Sequence, residues 1–296
     1  MHEIVVLSGK GGTGKTSLTA AFAHLARNAV LCDLDVDAPD LHILLDPRPL
    51  RREDFVSGHT ARIDPAACTA CGRCREVCRF AAVRPASGES GGVPGIDPLR
   101  CEGCKACVAL CPAGAIEFLP KHCGEWGVSA TRFGTLVHAQ LFPGEENSGR
   151  LVTLLKQEAR KIAEEQGAPL ILCDGAPGIG CPVISSLAGA GLAVAVTEPT
   201  PSGRHDLERV CGVCDHFRVP VAVIVNKHDL NPAEDARIEA FCRQQGHTLV
   251  ARLPHDPLVT AAMVQRKAVT ETADSGFTHF LLRAWRRIGQ LAGLGQ

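Results

Sequence analysis

The chain has 296 residues, 45% of them hydrophobic, enough for a sizeable core in one large domain or two smaller ones. Lysine plus arginine (31) nearly balance aspartate plus glutamate (32), which excludes a global electrostatic case for nucleic acid or an acidic membrane surface. Fifteen cysteines, in a chain that enters an apolar stretch at once without an export signal or a bilayer-length run, point to metal ligation in a reducing cytoplasm rather than to disulfides.

Residues 2–7 (HEIVVL) predict a buried strand, and residues 17–27 a helix whose Leu18, Ala21, Phe22 and Leu25 recur at helical spacing. Between them lies SGKGGTGKT, residues 8–16, in the strand–loop–helix context that a phosphate-binding loop requires. Gly9, Gly11, Gly12 and Gly14 let the backbone turn so that its N–H groups converge on phosphate oxygens at the positive end of the helix. Thr13 and Ser17 complete the nucleotide-binding set. Lys15 can reach the β- and γ-phosphates, and the Thr16 hydroxyl can ligate Mg²⁺. A bare glycine turn is the alternative.

The next strand, residues 29–33, leads into Asp33, Asp35 and Asp37, at the strand end where open α/β sheets place ligands. Alternating aspartates there can hold Mg²⁺ through water and orient the attacking water; a solvated acidic turn is the alternative reading.

From about residue 62 the character changes. Cys68, Cys71, Cys74 and Cys78 have the spacing C-x2-C-x2-C-x3-C, and Cys101, Cys104, Cys107 and Cys111 repeat it. The doubled run is a bacterial ferredoxin signature for two [4Fe–4S] clusters, in which the fourth cysteine of each run crosses to the other cluster. Cys68, Cys71, Cys74 and Cys111 are therefore expected on one cluster, and Cys101, Cys104, Cys107 and Cys78 on the other. Four-cysteine zinc sites are the alternative. Arg79 stands where Pro112 follows the second run, so a different turn is expected there, and residues 86–95 read as a flexible loop. Arg73, Arg75 and Arg79 flank the first run, as a solvated face or as a site for an acidic partner.

Beyond residue 120 the α/β pattern resumes. Residues 151–165 form an amphipathic helix, and residues 170–174 an apolar strand ending in Asp174, placed to support Mg²⁺ through water. Gly175 and Gly178 could let the loop that follows change when γ-phosphate is lost. Residues 192–197 and 221–226 are two more buried strands. The expected fold class is α/β, a mostly parallel sheet with helices on both faces, built from residues 1–61 and 121–296 as one discontinuous domain. An α+β ferredoxin-like domain is inserted at 62–120.

The chain resembles the MinD-type P-loop ATPases, a group that includes ParA, Mrp and the nitrogenase iron protein. It is most similar to the branch with a ferredoxin domain inserted in the ATPase. The resemblance rests on GKGGTGKT, DLDVDAPD, the two cysteine runs, EENSGRLVTLLKQEA, DGAPGIGCPVI, TEPTPSGRHDL and VNKHDL, and runs from residue 2 to about 271. It implies that Lys10 reaches across a nucleotide-sandwich homodimer, that Asp35 activates or orients the hydrolytic water, and that Asn226 contacts the base. Residues 226–229 also spell the N-K-x-D pattern by which GTPases read guanine; the family context favours ATP.

Cys181 has the offset from Asp174 of a bridging-cluster ligand in the nitrogenase iron protein, with Cys123 as a companion that no motif supports. Cys211 and Cys214 form a C-x2-C like the dimer-bridging pair of Mrp-type carriers, but ahead of the base-reading segment rather than beyond it. Packing is the preferred reading for both sites and for Cys32, Cys173 and Cys242. The amphipathic tail, residues 277–294, is expected to dock on the sheet, with peripheral membrane binding as the alternative. The expected function is an ATP-hydrolysing dimeric switch with Mg²⁺ and two [4Fe–4S] clusters, delivering electrons to a redox partner. A cluster or metal-cofactor carrier is the second reading, and a positioning ATPase with redox-sensing clusters the third.

Overall fold

The computed structural model describes residues 1–85, 92–145, 148–272 and 275–294, so part of the loop expected at 86–95 lies outside the described residues. In chain order the elements are β1 (His2–Ser8), α1 (Lys15–Leu25), β2 (Ala29–Asp33), α2 (Leu41–Leu45), β3 (Arg48–Ile63), α3 (Arg73–Val77), β4 (Val83–Arg84), β5 (Gly95–Ile96), α4 (Ala106–Ala109), β6 (Ile116–Thr131) and β7 (Gly134–Leu141). They continue with α5 (Ser148–Gln166), β8 (Leu170–Pro177), α6 (Cys181–Leu187), β9 (Leu192–Thr197), α7 (Pro201–His216), β10 (Val221–Asn226), α8 (Pro232–Gln245), β11 (Thr248–Leu253), α9 (Pro257–Val264) and α10 (Gly276–Leu291). Two compact units emerge, one of residues 1–53, 125–140 and 148–296, the other of residues 54–124 and 141–147.

A nine-stranded sheet has the order β11-β10-β9-β1-β8-β2-β7-β6-β3. Its centre is parallel: β1 pairs with β8 and β9, β10 with β9 and β11, and β2 with β8 and β7. Strands buried on both faces read as unbroken apolar runs, which is why β2, β9 and β10 fall on the predicted residues. Missed were β3, β6, β7 and β11, with the two-residue strands β4 and β5. In β3 the sequence RPLRREDFVSGHTARI exposes most of its residues and buries only Phe55, Ser57 and Ala61. Such a strand carries little apolar signal.

Near the start of β1, Glu3 is buried yet paired, accepting from Arg160 at 2.8 Å and forming an ion pair with Lys156 at 2.5 Å. The Lys156 ammonium also donates to the carbonyls of Ser186 and Ala188, so α5 is tied to the end of α6 by a satisfied buried charge. Helix α10 buries Phe277, Leu281, Ala284 and Ile288, and Trp285 stacks on Phe22 of α1 with centroids 5.3 Å apart. The tail thus spends its apolar face on the core, the preferred of its two readings. No helix among the described residues is long and apolar enough to cross a membrane.

In the second unit β4 and β5 form a small antiparallel pair beside the short helices α3 and α4. Cys101 follows Cys68 by 33 residues, and the backbone repeats at that offset. Positive φ occurs at Ala70 and Gly103 (54° and 57°), Gly72 and Lys105 (79° and 66°), and Ala81 and Gly114 (50° and 60°). The different turn expected from Arg79 is therefore absent. Both turns also close with the same N–H···S bond, Ala82 to Cys78 and Ala115 to Cys111, each 3.4 Å.

Candidate functional site

The ends of β1, β2 and β8 converge where their parallel register places Asp33 opposite Asp174. The phosphate loop leaves β1 here and enters α1 through Gly14 at φ 91°, a left-handed conformation that favours glycine. A Cβ on Gly14 would lie 2.5 Å from Asn226 Nδ2, so the loop needs glycine for space as well.

Four charged side chains meet behind the loop. Lys15 Nζ lies 3.0 Å from Asp174 Oδ1 and 3.7 Å from Asp35 Oδ2. Asp174 also accepts from the hydroxyls of Thr16 (2.7 Å) and Thr19 (2.8 Å). Burial works against the Lys15 charge, but Asp174, Asp33 and Asp35 outweigh it and hold its pKa above the ordinary lysine value. Burial also raises Asp33 well above the carboxylate range, with Asp174 adding to it.

The three aspartates after β2 do not act alike. Asp33 is fully buried and accepts the backbone N–H groups of Asp35 and Leu41, each at 3.1 Å, so it pins the loop instead of facing a ligand. Asp35, Asp37 and Asp40 line a cleft of about 600 Å³ together with residues 11–17, Asn226, His255 and Met263. Burial raises Asp35 to about 6, Lys15 opposing and Asp174 assisting. The sign is that of a destabilised carboxylate: its protonated form is favoured in the fold, so the stability it contributes is full below pH 3.8 and lost as pH rises through 6. In urea titrations of the nucleotide-free chain, Asp35→Asn is expected to be more stable than the native protein at pH 7, with the gap closing toward pH 4. A gap that widens toward pH 4 would contradict the assignment.

Asn226 serves the loop. Its Nδ2 donates to the Thr13 carbonyl at 2.8 Å and its Oδ1 accepts from Lys227 N at 3.1 Å. Losing this clasp should weaken ATP and GTP binding together: Asn226→Ala is expected to raise both Kd values about tenfold, one good hydrogen bond's worth. A loss confined to one nucleotide, measured by competition, would instead assign Asn226 chiefly to base reading. Asp229 accepts His255 N at 2.7 Å, and this bond holds its carboxyl below the usual range. Lys10 Nζ reaches Ser202 Oγ (3.4 Å) and Glu198 Oε2 (3.9 Å), while Lys227 takes the other Glu198 oxygen at 2.5 Å.

Sequence reasoning missed Thr19, Glu198 and the 254–256 turn. Thr19 was findable, since four residues after Lys15 a helix presents the same face. Glu198 and His255 lie in loops with no periodic signal.

The cleft also suits a phosphorylated ligand with Mg²⁺. Thr13 Oγ1 is buried without a hydrogen-bond partner among the described residues, and the Thr16 hydroxyl and Asp35 sit within the same lining. Such a buried polar atom is costly unless a ligand satisfies it.

The eight cysteines of the two runs divide in the crossed pattern. Cys68, Cys71, Cys74 and Cys111 line one small cavity walled by Ile63, Pro94 and Ile116. Cys78, Cys101, Cys104 and Cys107 line the other, walled by Ala61, Phe80 and Ile96. Both sets ring a space; among the described residues no group of three or more His, Cys, Asp or Glu side chains is arranged to hold a metal ion, a finding that favours neither zinc nor clusters. Arg73, Arg75 and Arg79 are exposed.

Cys211 and Cys214 are fully buried on α7, where burial pushes both thiols up, Cys214 to about 12. An accessible cluster site is not what they form. Cys32, Cys173 and Cys242 are buried too, and Cys123 donates to the Ser57 carbonyl at 3.1 Å; Cys181 is exposed at the start of α6.

A parallel sheet with a glycine loop, a buried lysine and carboxylates at its strand ends defines a P-loop nucleotide-binding protein. The family described as CbiA, the CobQ/CobB/MinD/ParA nucleotide binding domain, matches residues 4–271, and the chain belongs to it. It is 33% identical over 232 residues to the uncharacterized protein MJ0578 of Methanocaldococcus jannaschii, covering 77% of this chain and 79% of that one. To MJ0579 of the same organism it is 26% identical over 264 residues, 82% of this chain and 90% of the other. Among solved structures, the septum site-determining protein MinD complexed with Mg-ADP from Pyrococcus horikoshii superposes with a TM-score of 0.60 at 17% identity, covering 99% and 98% of the chains. That likeness extends to the fold.

Proposed function

We propose that this protein is an ATP-binding and ATP-hydrolysing switch of the MinD type whose second unit carries two [4Fe–4S] clusters. The observation that carries the switch is the buried Lys15–Asp174 pair, with Thr16 on the same carboxylate and Asp35 3.7 Å from the lysine. The Mg-ADP named for the Pyrococcus structure supports a nucleotide with Mg²⁺. Thr16 and Asp174 are the residues that would hold Mg²⁺, Lys15 would contact phosphate oxygens, and Asp35 would orient the attacking water; the bound metal would supply positive charge against the phosphates. ATP is favoured over GTP because one Asp229 oxygen, which guanine would need, already takes the His255 N–H. Competition between the two nucleotides tests this; tighter GTP binding would reverse it.

Lys10 is the candidate for reaching a second protomer's phosphates, which makes the active form a homodimer. It must first leave Glu198 and Ser202.

The crossed cavities support the cluster assignment, because four cysteines of the ferredoxin spacing surround each one. Backbone N–H groups donate to the sulfurs of Cys68, Cys78 and Cys111, each at 3.4 Å. Bound clusters would supply one-electron chemistry. Electron delivery to a redox partner rests on this cysteine arrangement alone, and the comparisons lend more support to the nucleotide switch.

For that reason a positioning ATPase is kept as the second reading, favoured by the MinD neighbours. ATP-dependent co-sedimentation with liposomes or DNA supports it; no sedimentation with either nucleotide bound removes it.

A further inference from the structure

At the end of the sheet away from the phosphate loop, a cavity of about 690 Å³ opens between the starts of β1 and β8 and the ends of α1 and α10. It exceeds the nucleotide cleft, at about 600 Å³, and falls in the range of small-molecule sites. Its wall has a chemical polarity. Arg27, Arg286 and His2 bring positive or ionisable nitrogen, while Leu170, Trp285 and Leu294 supply apolar surface. No aspartate or glutamate is among the described residues that line it.

Several arginines elsewhere in this protein are matched with carboxylates, as Arg160 is with Glu3, Arg132 with Glu271 and Arg252 with Asp235, whereas Arg27 and Arg286 are exposed at the cavity mouth. Arg27 and Arg286 form no ion pair among the described residues, although both edge the same cavity. Two guanidiniums without a carboxylate suit an anion, because their planar N–H forks match carboxylate and phosphate oxygens. The apolar floor suits a hydrocarbon or ring body.

The position matters as much as the chemistry. Ala26 and Arg27 follow directly on α1, whose first residues are Lys15 and Thr16. An 11-residue helix is about 16 Å long, so α1 runs from the phosphate loop to the rim of this cavity. Trp285 belongs to the cavity wall and also stacks on Phe22 of that helix. One helix therefore touches both pockets.

We propose that this cavity binds a small organic anion with an apolar body, and that its occupancy changes nucleotide affinity through α1. The acid group lies between Arg27 and Arg286, and the body lies against Trp285, Leu170 and Leu294. The regulatory half rests on the nucleotide reading above; the binding half does not. Differential binding to the two states of α1 is what the coupling requires, and it must act equally in both directions.

The two tryptophans make the test direct. In a Trp126→Phe full-length variant, Trp285 is the sole tryptophan and reports the cavity without any nucleotide. Decanoate is titrated below its micellar range, with decyl phosphate and decanol alongside. A saturable change in Trp285 emission is expected with the anions, at least tenfold weaker with decanol and in the Arg27→Ala/Arg286→Ala background. The better of the two anions identifies the head group as carboxylate or phosphate. No saturable change with either anion, or equal binding by decanol or the double variant, would overturn the site. The arginines are exposed, so the variant should fold, which circular dichroism checks. With the anion saturating, the Kd for Mg-ATP is expected to shift at least threefold; an unchanged Kd overturns the regulatory half. A chain that binds decanoate but no nucleotide would instead sink the reading of the phosphate loop and leave the cavity intact.

Discussion

Replacing Lys15 with alanine is expected to lower ATP turnover by at least about 10²–10³-fold, the loss typical of removing one preorganised donor from developing charge. In the native chain Lys15 is the cation among Asp33, Asp35 and Asp174. Its removal leaves buried carboxylates uncompensated, so the nucleotide-free variant should also lose about 3–5 kcal/mol of stability. These two effects separate experimentally. The stability loss should shrink on acidification, as Asp35 and Asp33, both raised by burial, take up protons. The catalytic loss should not recover at any pH, because protonated aspartates supply no positive charge to the phosphates. Turnover measured against unfolding midpoints at pH 5 and pH 7 gives both numbers. Native turnover in Lys15→Ala would move hydrolysis elsewhere in the molecule.

The second large effect concerns the cysteines, and paired variants expose the crossing. With two clusters the native protein should carry about eight irons per chain. Cys68→Ser/Cys111→Ser removes two residues from one cavity and is expected to leave about four irons. Cys78→Ser/Cys101→Ser does the same to the other cavity, again leaving about four. Cys68→Ser/Cys78→Ser, two residues of one sequence run, strikes both cavities and should leave almost none. Sequential pairing predicts the reverse: the first two pairs would lose everything and the last pair only half. Iron counted on anaerobically purified protein distinguishes the patterns.

Much of this was legible from residue order because the determining signals are local. Glycines at fixed offsets between an apolar run and a helix are enough to mark the phosphate loop, and β2, β9 and β10 are apolar throughout. The two sets of four cysteines expected from the spacing are the sets that line the two small cavities, one set in each. What escaped notice depends on distant contacts. Asp33 looks like Asp35 in the sequence, yet only the fold gives it the N–H of Leu41, eight residues on. Asn226, expected at the base, also donates its amide to the Thr13 carbonyl, 213 residues earlier, a contact that sequence spacing does not announce. The strands β3, β6 and β7 were invisible because polar, half-exposed segments lack a periodic apolar face. Arg79 in place of proline points to an altered turn, yet Ala81 adopts the same left-handed conformation as Gly114.

Phosphate release from Mg-ATP by anaerobically purified full-length protein, with iron counted on the same sample, tests the central claim most directly. Release well above that of Lys15→Ala, from a sample holding about eight irons per chain, is the predicted result. Release no greater than that of Lys15→Ala, whatever the iron content, would contradict it.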